Sequence, residues 1–216
     1  MKIGILGGTG KEGAGLGARW ALVGHDVIIG SRDAERARTK AAELREHSGA
    51  ARISGEGNRD AAALADVVVL ALPAVGLDAT LPDLRDACRG KVVVSTVVPL
   101  TFGGGRLFTP PAAGSSAEEA QALLGPEVRV VAAFHHIAAH ELSETGHAID
   151  CDLLVCGGDA AGKEMVRELG KSLGVHTVDV GPLTNAGPVE GITALLATIN
   201  RRYKLKNSGI KITGLP

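Results

Sequence analysis

Lys2-Ile3-Gly4-Ile5-Leu6-Gly7-Gly8-Thr9-Gly10-Lys11-Glu12-Gly13 is a short apolar run that passes straight into glycines. The helix-compatible segment Ala14-Gly15-Leu16-Gly17-Ala18-Arg19-Trp20-Ala21-Leu22 follows. Gly8, Gly10 and Gly13 fit G-x-G-x-x-G, with a predicted strand before the motif and a predicted helix opening inside it. In a dinucleotide-binding turn Gly8 would permit the tight turn, Gly10 would let the backbone approach a pyrophosphate, and Gly13 would let helix and strand pack closely. The phosphates would then sit on free N–H groups at the positive end of the helix. A chain with 30 glycines in 216 residues makes chance matches common, and a purely structural turn is the alternative. The order strand, turn, helix favours the nucleotide. Gly8, Thr9, Gly10, Lys11, Glu12 and Gly13 are therefore candidate cofactor-binding residues.

Working outward, strand and helix signals alternate. His25–Gly30 reads as a second strand, and Asp33–His47 as a helix rich in Ala, Glu, Arg and Lys. Arg52–Ser54 reads as a short third strand. Asp66–Leu72 is continuously apolar and β-branched, as a parallel strand buried on both faces should be, and Pro73 ends it. A helical stretch to about Cys88 leads to further strands at Lys91–Ser95 and Val128–Ala132. The pattern predicts a doubly wound parallel sheet over residues 1–148 with helices on both faces. Ligands of such sheets lie beyond the carboxyl ends of the strands, here Gly7–Gly13, Gly30–Arg32, Leu72–Ala74 and Thr96–Pro99. The loop from Pro99 to Ser115, with Gly103-Gly104-Gly105 and Pro110-Pro111, reads as a lid, a binding loop or a linker. From residue 149 to 216 a smaller α/β unit is predicted, with a helix over Gly162–Leu173, a strand over Val175–Val178 and a last helix. That last helix carries Val189, Ile192, Leu196 and Ile199 on one stripe, packed on the first unit or on a second subunit.

Composition narrows the function classes. Hydrophobic residues are 45% of the chain and aromatics 2%, so the core rests on Val, Leu, Ile and Ala. The net charge of −1 gives no global field for nucleic acid or an anionic membrane. The apolar run Val67–Leu77 is too short to span a bilayer. No signal peptide is expected, and Cys88, Cys151 and Cys156 read as reduced thiols of a cytoplasmic protein.

The end of the second strand selects the dinucleotide. NAD sites usually place an acid there for the ribose hydroxyls, whereas this chain has Gly30-Ser31-Arg32 with Arg36 one turn further on. A hydroxyl and two guanidinium groups at a helix start suit a 2′-phosphate, and Arg matches phosphate as a bidentate fork. The alternative is that Ser31 only caps the helix and both arginines are solvated. Ser31, Arg32 and Arg36 thus point to NADP(H). Glu12 stands where a phosphate-binding Walker motif needs Ser or Thr, so ATP hydrolysis is disfavoured. His135, His136, His140 and His147 cluster, and His136 and His140 have the spacing of ligands on one helix. They lack a full ligand pattern, and no metal is expected; they more readily line a cleft after the sixth strand.

Taken together, the glycine turn, Gly30-Ser31-Arg32, Ala132–Ala139, Asp179-Val180-Gly181-Pro182-Leu183 and Gly209-Ile210-Lys211-Ile212 resemble the NADPH-dependent coenzyme F420 reductases (F420H2:NADP oxidoreductases) over essentially the whole chain. The resemblance implies a Rossmann domain and a small C-terminal domain with the deazaflavin in the cleft between them. It implies hydride transfer between NADP(H) and F420, with Thr9, Ser31, Arg32 and Arg36 on NADP(H) and with His135 and Ile137 on the deazaflavin. His136 and Ala138 depart from the family pattern, which has Thr and Pro there. Leu72, Pro73, Val97, Val98 and Pro99 are expected to press on the nicotinamide or simply to end buried strands. His135 is the candidate general acid. A homodimer or higher homo-oligomer is expected. Arg201, Arg202, Lys204, Lys206 and Lys211 form a basic stretch without acids. It suits the phosphodiester and glutamate tail of F420, although a helix C-terminus accounts for the first two equally well. Two other readings stay open: an NADP-dependent reductase of the pyrroline-carboxylate or imine type, and an NADP(H)-binding sensor without turnover.

Overall fold

The computed structural model describes residues 1–103 and 105–215; Gly104, in the expected loop, lies outside the described residues. In chain order the first elements are β1 (Lys2–Leu6), α1 (Lys11–Leu22), β2 (Asp26–Ser31), α2 (Ala34–Ser48), β3 (Ile53–Gly57), α3 (Asn58–Leu64) and β4 (Val67–Leu70). They are followed by α4 (Leu77–Thr80), α5 (Arg85–Cys88), β5 (Val92–Ser95), α6 (Ser116–Leu124), β6 (Arg129–Ala132) and α7 (Ala139–Ser143). The chain closes with β7 (Leu153–Gly157), α8 (Ala160–Ser172), β8 (Thr177–Asp179) and α9 (Ala186–Tyr203).

All eight strands join one sheet in the order β3-β2-β1-β4-β5-β6-β7-β8. β1 pairs in parallel with β2 on one side and β4 on the other. The strand order therefore reverses at β1/β4, the place where a doubly wound sheet opens a crevice. Strand alternation divides the core in two. Ile3, Ile5, Val67, Val69, Val92 and Val94 face a cluster with Leu16 and Trp20, whereas Leu6, Val68, Leu70 and Val93 face one with Leu81 and Leu124.

The Rossmann-like α/β fold matches the expectation, with several local differences. β2 and β3 run further than predicted, to Ser31 and Gly57, because β2 pairs in parallel with β3 along the whole of Ile53–Gly57. The polar residues at the end of that ladder gave no apolar signal. α3 and α6 were not expected; both are short and draw their burial from alanines, which periodicity registers weakly. The helical stretch before Cys88 is broken at Pro82 into α4, a 3-10 turn and α5. β4 stops at Leu70, β8 starts at Thr177 rather than Val175, and α8 starts at Ala160, capped by Asp159.

β7 adds to β6 antiparallel, with Ala132 opposite Cys156, and β8 runs parallel to β7. The C-terminal segment thus extends the same sheet. On α9, Val189 and Leu196 are buried, but Ile199 is 39% exposed. The helix packs on α6 and β7, and its stripe reaches solvent at Ile199. Among the described residues no helix is long and apolar enough to cross a membrane.

Candidate active site

The glycine turn stands at the carboxyl end of β1. Gly7, not Gly8, takes the left-handed conformation there (φ +74°), and a Cβ on it would lie 2.6 Å from the Ala71 carbonyl oxygen. Gly8 turns its N–H inward to the carbonyls of Ile5 (3.1 Å) and Gly30 (3.0 Å), behind the cavity wall. At Gly13 a Cβ would meet Gly8 Cα at 2.7 Å, so this glycine is required for close packing, as expected. At Gly10 a Cβ would meet nothing nearer than Gly7 O at 3.6 Å. Nothing in the protein demands a glycine there; a ligand approaching the backbone would. No side chain caps α1, so the helix end is free to take an anion.

Beyond this turn lies a cavity of about 580 Å³ along the carboxyl ends of β1, β2, β4 and β5. Thr9, Gly10, Lys11, Glu12, Gly13, Ser31, Arg32, Arg36, Leu72, Pro73, Val97, Val98 and His135 all line it. Of the expected contacts only Gly8, Pro99 and Ile137 do not. At one end Asp33, not Ser31, caps α2, accepting hydrogen bonds from the N–H groups of Glu35 (2.9 Å) and Arg36 (3.3 Å). The Ser31 hydroxyl accepts from Asp33 N at 3.3 Å and keeps its own proton to donate. Neither Arg32 nor Arg36 enters an ion pair among the described residues. The arrangement leaves one hydroxyl donor and two unpaired guanidinium groups for a phosphate.

At the other end Pro73, Val97 and Val98 form an apolar wall beside the polar side chains of Glu12, Thr96, His135 and Thr193. Glu12 Oε1 and both ring nitrogens of His135 are buried without a hydrogen-bond partner. Burial pushes the Glu12 carboxyl up to about 8, and the Thr96 hydroxyl offsets part of that rise. Burial first, and then His136, push His135 down to about 3, weakly opposed by the Ala133 backbone. Neutral forms are therefore favoured for both. His135 follows Phe134, a non-glycine residue at φ +67°, held by an edge-on contact with Trp20 at 5.3 Å between ring centroids.

Ile137 lies one step away, in a neighbouring cavity of about 300 Å³ that it shares with Glu12, His135, His136, Thr193 and Lys206. His136 and His140 do not share a helix, because α7 begins at Ala139. His136 Nε2 donates to the Asp152 carbonyl at 2.9 Å, and among the described residues no three His, Cys, Asp or Glu side chains are arranged for a metal ion. Of the basic stretch, only Lys206 reaches this cavity, while Lys211 pairs with Asp150. The sequence reading missed Asn58 and Thr193, while Thr96, in the Thr96–Pro99 strand end it singled out, does line the larger cavity. Asn58 lines the larger cavity and accepts from Gly7 N at 3.2 Å, bracing the turn. It opens α3, and recognising that helix would have found it. Arg19 was also missed: it is buried and donates to the carbonyls of Leu142 (3.0 Å), His147 (3.0 Å), Glu141 (2.7 Å) and Glu144 (2.7 Å), fixing α7 and its loop behind the site.

The open Gly10, the unpaired arginines and the orphaned polar atoms at the apolar end all fit a dinucleotide with a 2′-phosphate. Residues 2–99 match the family described as NADP oxidoreductase coenzyme F420-dependent. The chain is 43% identical, over its full length and 96% of the relative's, to a protein of Methanothermobacter thermautotrophicus named F420-dependent NADP reductase. It is 43% identical to the protein of that name from Methanocaldococcus jannaschii, covering 99% of it. A crystal structure from Arthrobacter sp. FB24, provisionally described as an F420-dependent NADP-reductase, superposes with a TM-score of 0.84 at 30% identity, 99% of each chain being covered. With full-length identity at this level, the chain belongs to the F420-dependent NADP reductase family.

Proposed function

We infer that this protein transfers a hydride reversibly between NADP(H) and the deazaflavin F420. The observation that carries the reading is a pair of neighbouring cavities that share Glu12, His135 and Thr193 in their walls: Ser31, Arg32 and Arg36 line the larger, and Ile137 and Lys206 line the smaller. The larger cavity takes the nucleotide, with its 2′-phosphate on the arginines and its pyrophosphate at Gly10 and the start of α1. The smaller cavity takes the deazaflavin, with residues 149–216 supplying its outer wall.

The two substrates carry the redox chemistry; the chain's residues bind, orient and exclude water. Pro73, Val97 and Val98 hold the reacting end of the nucleotide against a dry wall. Bringing the two reacting carbons to about 3–3.5 Å is worth roughly 7–11 kcal/mol of the barrier. The exposed Leu195, Ile199 and Tyr203 on α9 support self-association, which light scattering tests. Mixing the protein with NADPH and F420 should bleach the deazaflavin's visible absorbance. Reduction of a cyclic imine, with F420 untouched, would overturn the reading.

A further inference from the structure

The two orphaned polar side chains stand at one place. Glu12, His135 and Thr193 are the residues common to the walls of both cavities, so the nucleotide and deazaflavin rings of the proposed reaction meet over them. Glu12 is half-buried, but its Oε1 is fully buried without a hydrogen-bond partner, and a protein retains such an atom where a ligand or a reaction uses it. The proposed reaction has such a use. A hydride brings two electrons and one hydrogen to the acceptor ring, which must take one further proton to end neutral.

We propose that Glu12 is the acid–base residue of hydride transfer, holding that proton where the two cavities join, with His135 a neutral hydrogen-bonding group that positions the ring. The proposal rests on the NADP(H)–F420 reading above. During deazaflavin reduction the C4–H bond of NADPH breaks with its electron pair, which forms the new C–H bond at deazaflavin C5. The Glu12 O–H bond breaks and leaves its electron pair on the carboxylate, while the proton passes to ring nitrogen N1. NADPH is thereby oxidised to NADP+, the deazaflavin is reduced, and the carboxylate regains a proton from water. The reverse reaction starts from the carboxylate.

A carboxyl raised to about 8 is protonated at neutral pH yet close enough to release its proton. His135, held down to about 3, has no proton of comparable acidity to give. The other titratable groups facing the two cavities are His136 and Lys206 on the deazaflavin side and Lys11, Arg32 and Arg36 on the nucleotide side. A pyrophosphate at the start of α1 would repel a Glu12 carboxylate, so nucleotide binding should draw a proton onto Glu12.

Two measurements test this. Calorimetric titration of NADP+ at about pH 8.5, in buffers of different ionisation enthalpy, should show net uptake of up to about one proton per site by the wild type and none by Glu12→Gln. Wild-type binding without uptake, or undiminished uptake in Glu12→Gln, overturns the proposal. The wild-type arm decides even if the variant does not fold. In single-turnover reduction of F420 by NADPH, the wild-type rate should fall tenfold per pH unit above the Glu12 pKa. The Glu12→Gln rate should be lower by about 10²–10⁴ and flat over the same range. A variant that keeps the wild-type pH profile refutes the role of Glu12 and leaves the function standing. A wild type that binds NADP+ but does not reduce F420 removes the function and this proposal with it.

Discussion

The carboxylate of Glu190, in the first half of α9, accepts a hydrogen bond from the backbone N–H of Ser116 at 3.0 Å, and its second oxygen takes the N–H of Ala117 at 3.1 Å. One buried side chain thus caps the start of α6 from across the fold and ties α9 to it. Burial pushes this carboxyl up to about 7, against the lowering effect of the two N–H groups. Its folded pKa exceeds the unfolded one, so the folded state binds more protons between about 4.5 and 7. The associated stability is present below that window and is lost as pH rises through it. Glu190→Ala should cost about 1–3 kcal/mol by stranding two buried donors. Urea unfolding should show that Glu190→Gln, which keeps one acceptor, loses less and loses the pH dependence in that window. Equal stability of all three proteins would contradict the capping role.

Two glycines of the same motif should fail in different ways. Gly13→Ala places a methyl against the Gly8 backbone at 2.7 Å and should destabilise the fold by about 1–3 kcal/mol. Gly10→Ala has room in the protein and should cost at most about 1 kcal/mol of stability, mainly as a poorer helix cap. Its defect should be in NADPH affinity, by about tenfold or more, since the methyl stands where the pyrophosphate approaches. Melting curves and NADPH fluorescence titrations on the two variants separate the effects. An unstable Gly10→Ala that binds normally would reverse the assignment.

Cofactor choice should follow the free cations at the end of β2. NADPH should be preferred to NADH by about two to four powers of ten, the scale set by charged hydrogen bonds of about 1.5–3 kcal/mol each. Arg32→Glu should collapse that preference by weakening NADPH while sparing NADH. Steady-state comparison of the two cofactors checks this, and equal use by the wild type would refute the phosphate pocket.

Lys206 should matter more than the basic residues around it. It alone of the basic stretch lines the smaller cavity, whereas Lys211 is held by Asp150. Lys206→Ala should raise the KM for F420 more than Lys204→Ala or Lys211→Ala does, and more for F420 than for a deazaflavin without its anionic tail. The difference should shrink as salt rises, because exposed charges are screened within about 8–10 Å at physiological ionic strength. Identical KM changes for tailed and tail-less substrates would remove the tail contact.

The sequence by itself determined the β–α alternation, the glycine turn and the cations after β2. Each of these is local: β-branched runs report strands buried on both faces, and the glycines and Ser31-Arg32 report a backbone turn and a charge pattern within a few residues. That was sufficient to name most of the predicted residues that line the larger cavity. Only the tertiary structure decided the rest. Glu12 and His135 are 123 positions apart (135 − 12) and line the same cavities because β1 and β6 both end on the carboxyl side of the sheet. Arg19 reads as one more polar residue of α1 until the loop after α7 brings four carbonyls onto it. Glu190 reads as a solvated helix position until α6 points its free N–H groups at it. β8, legible as a strand, carried no mark of which strand it would join. Packing selects partners through complementary surfaces, and buried polar groups find theirs only once the chain has closed around them.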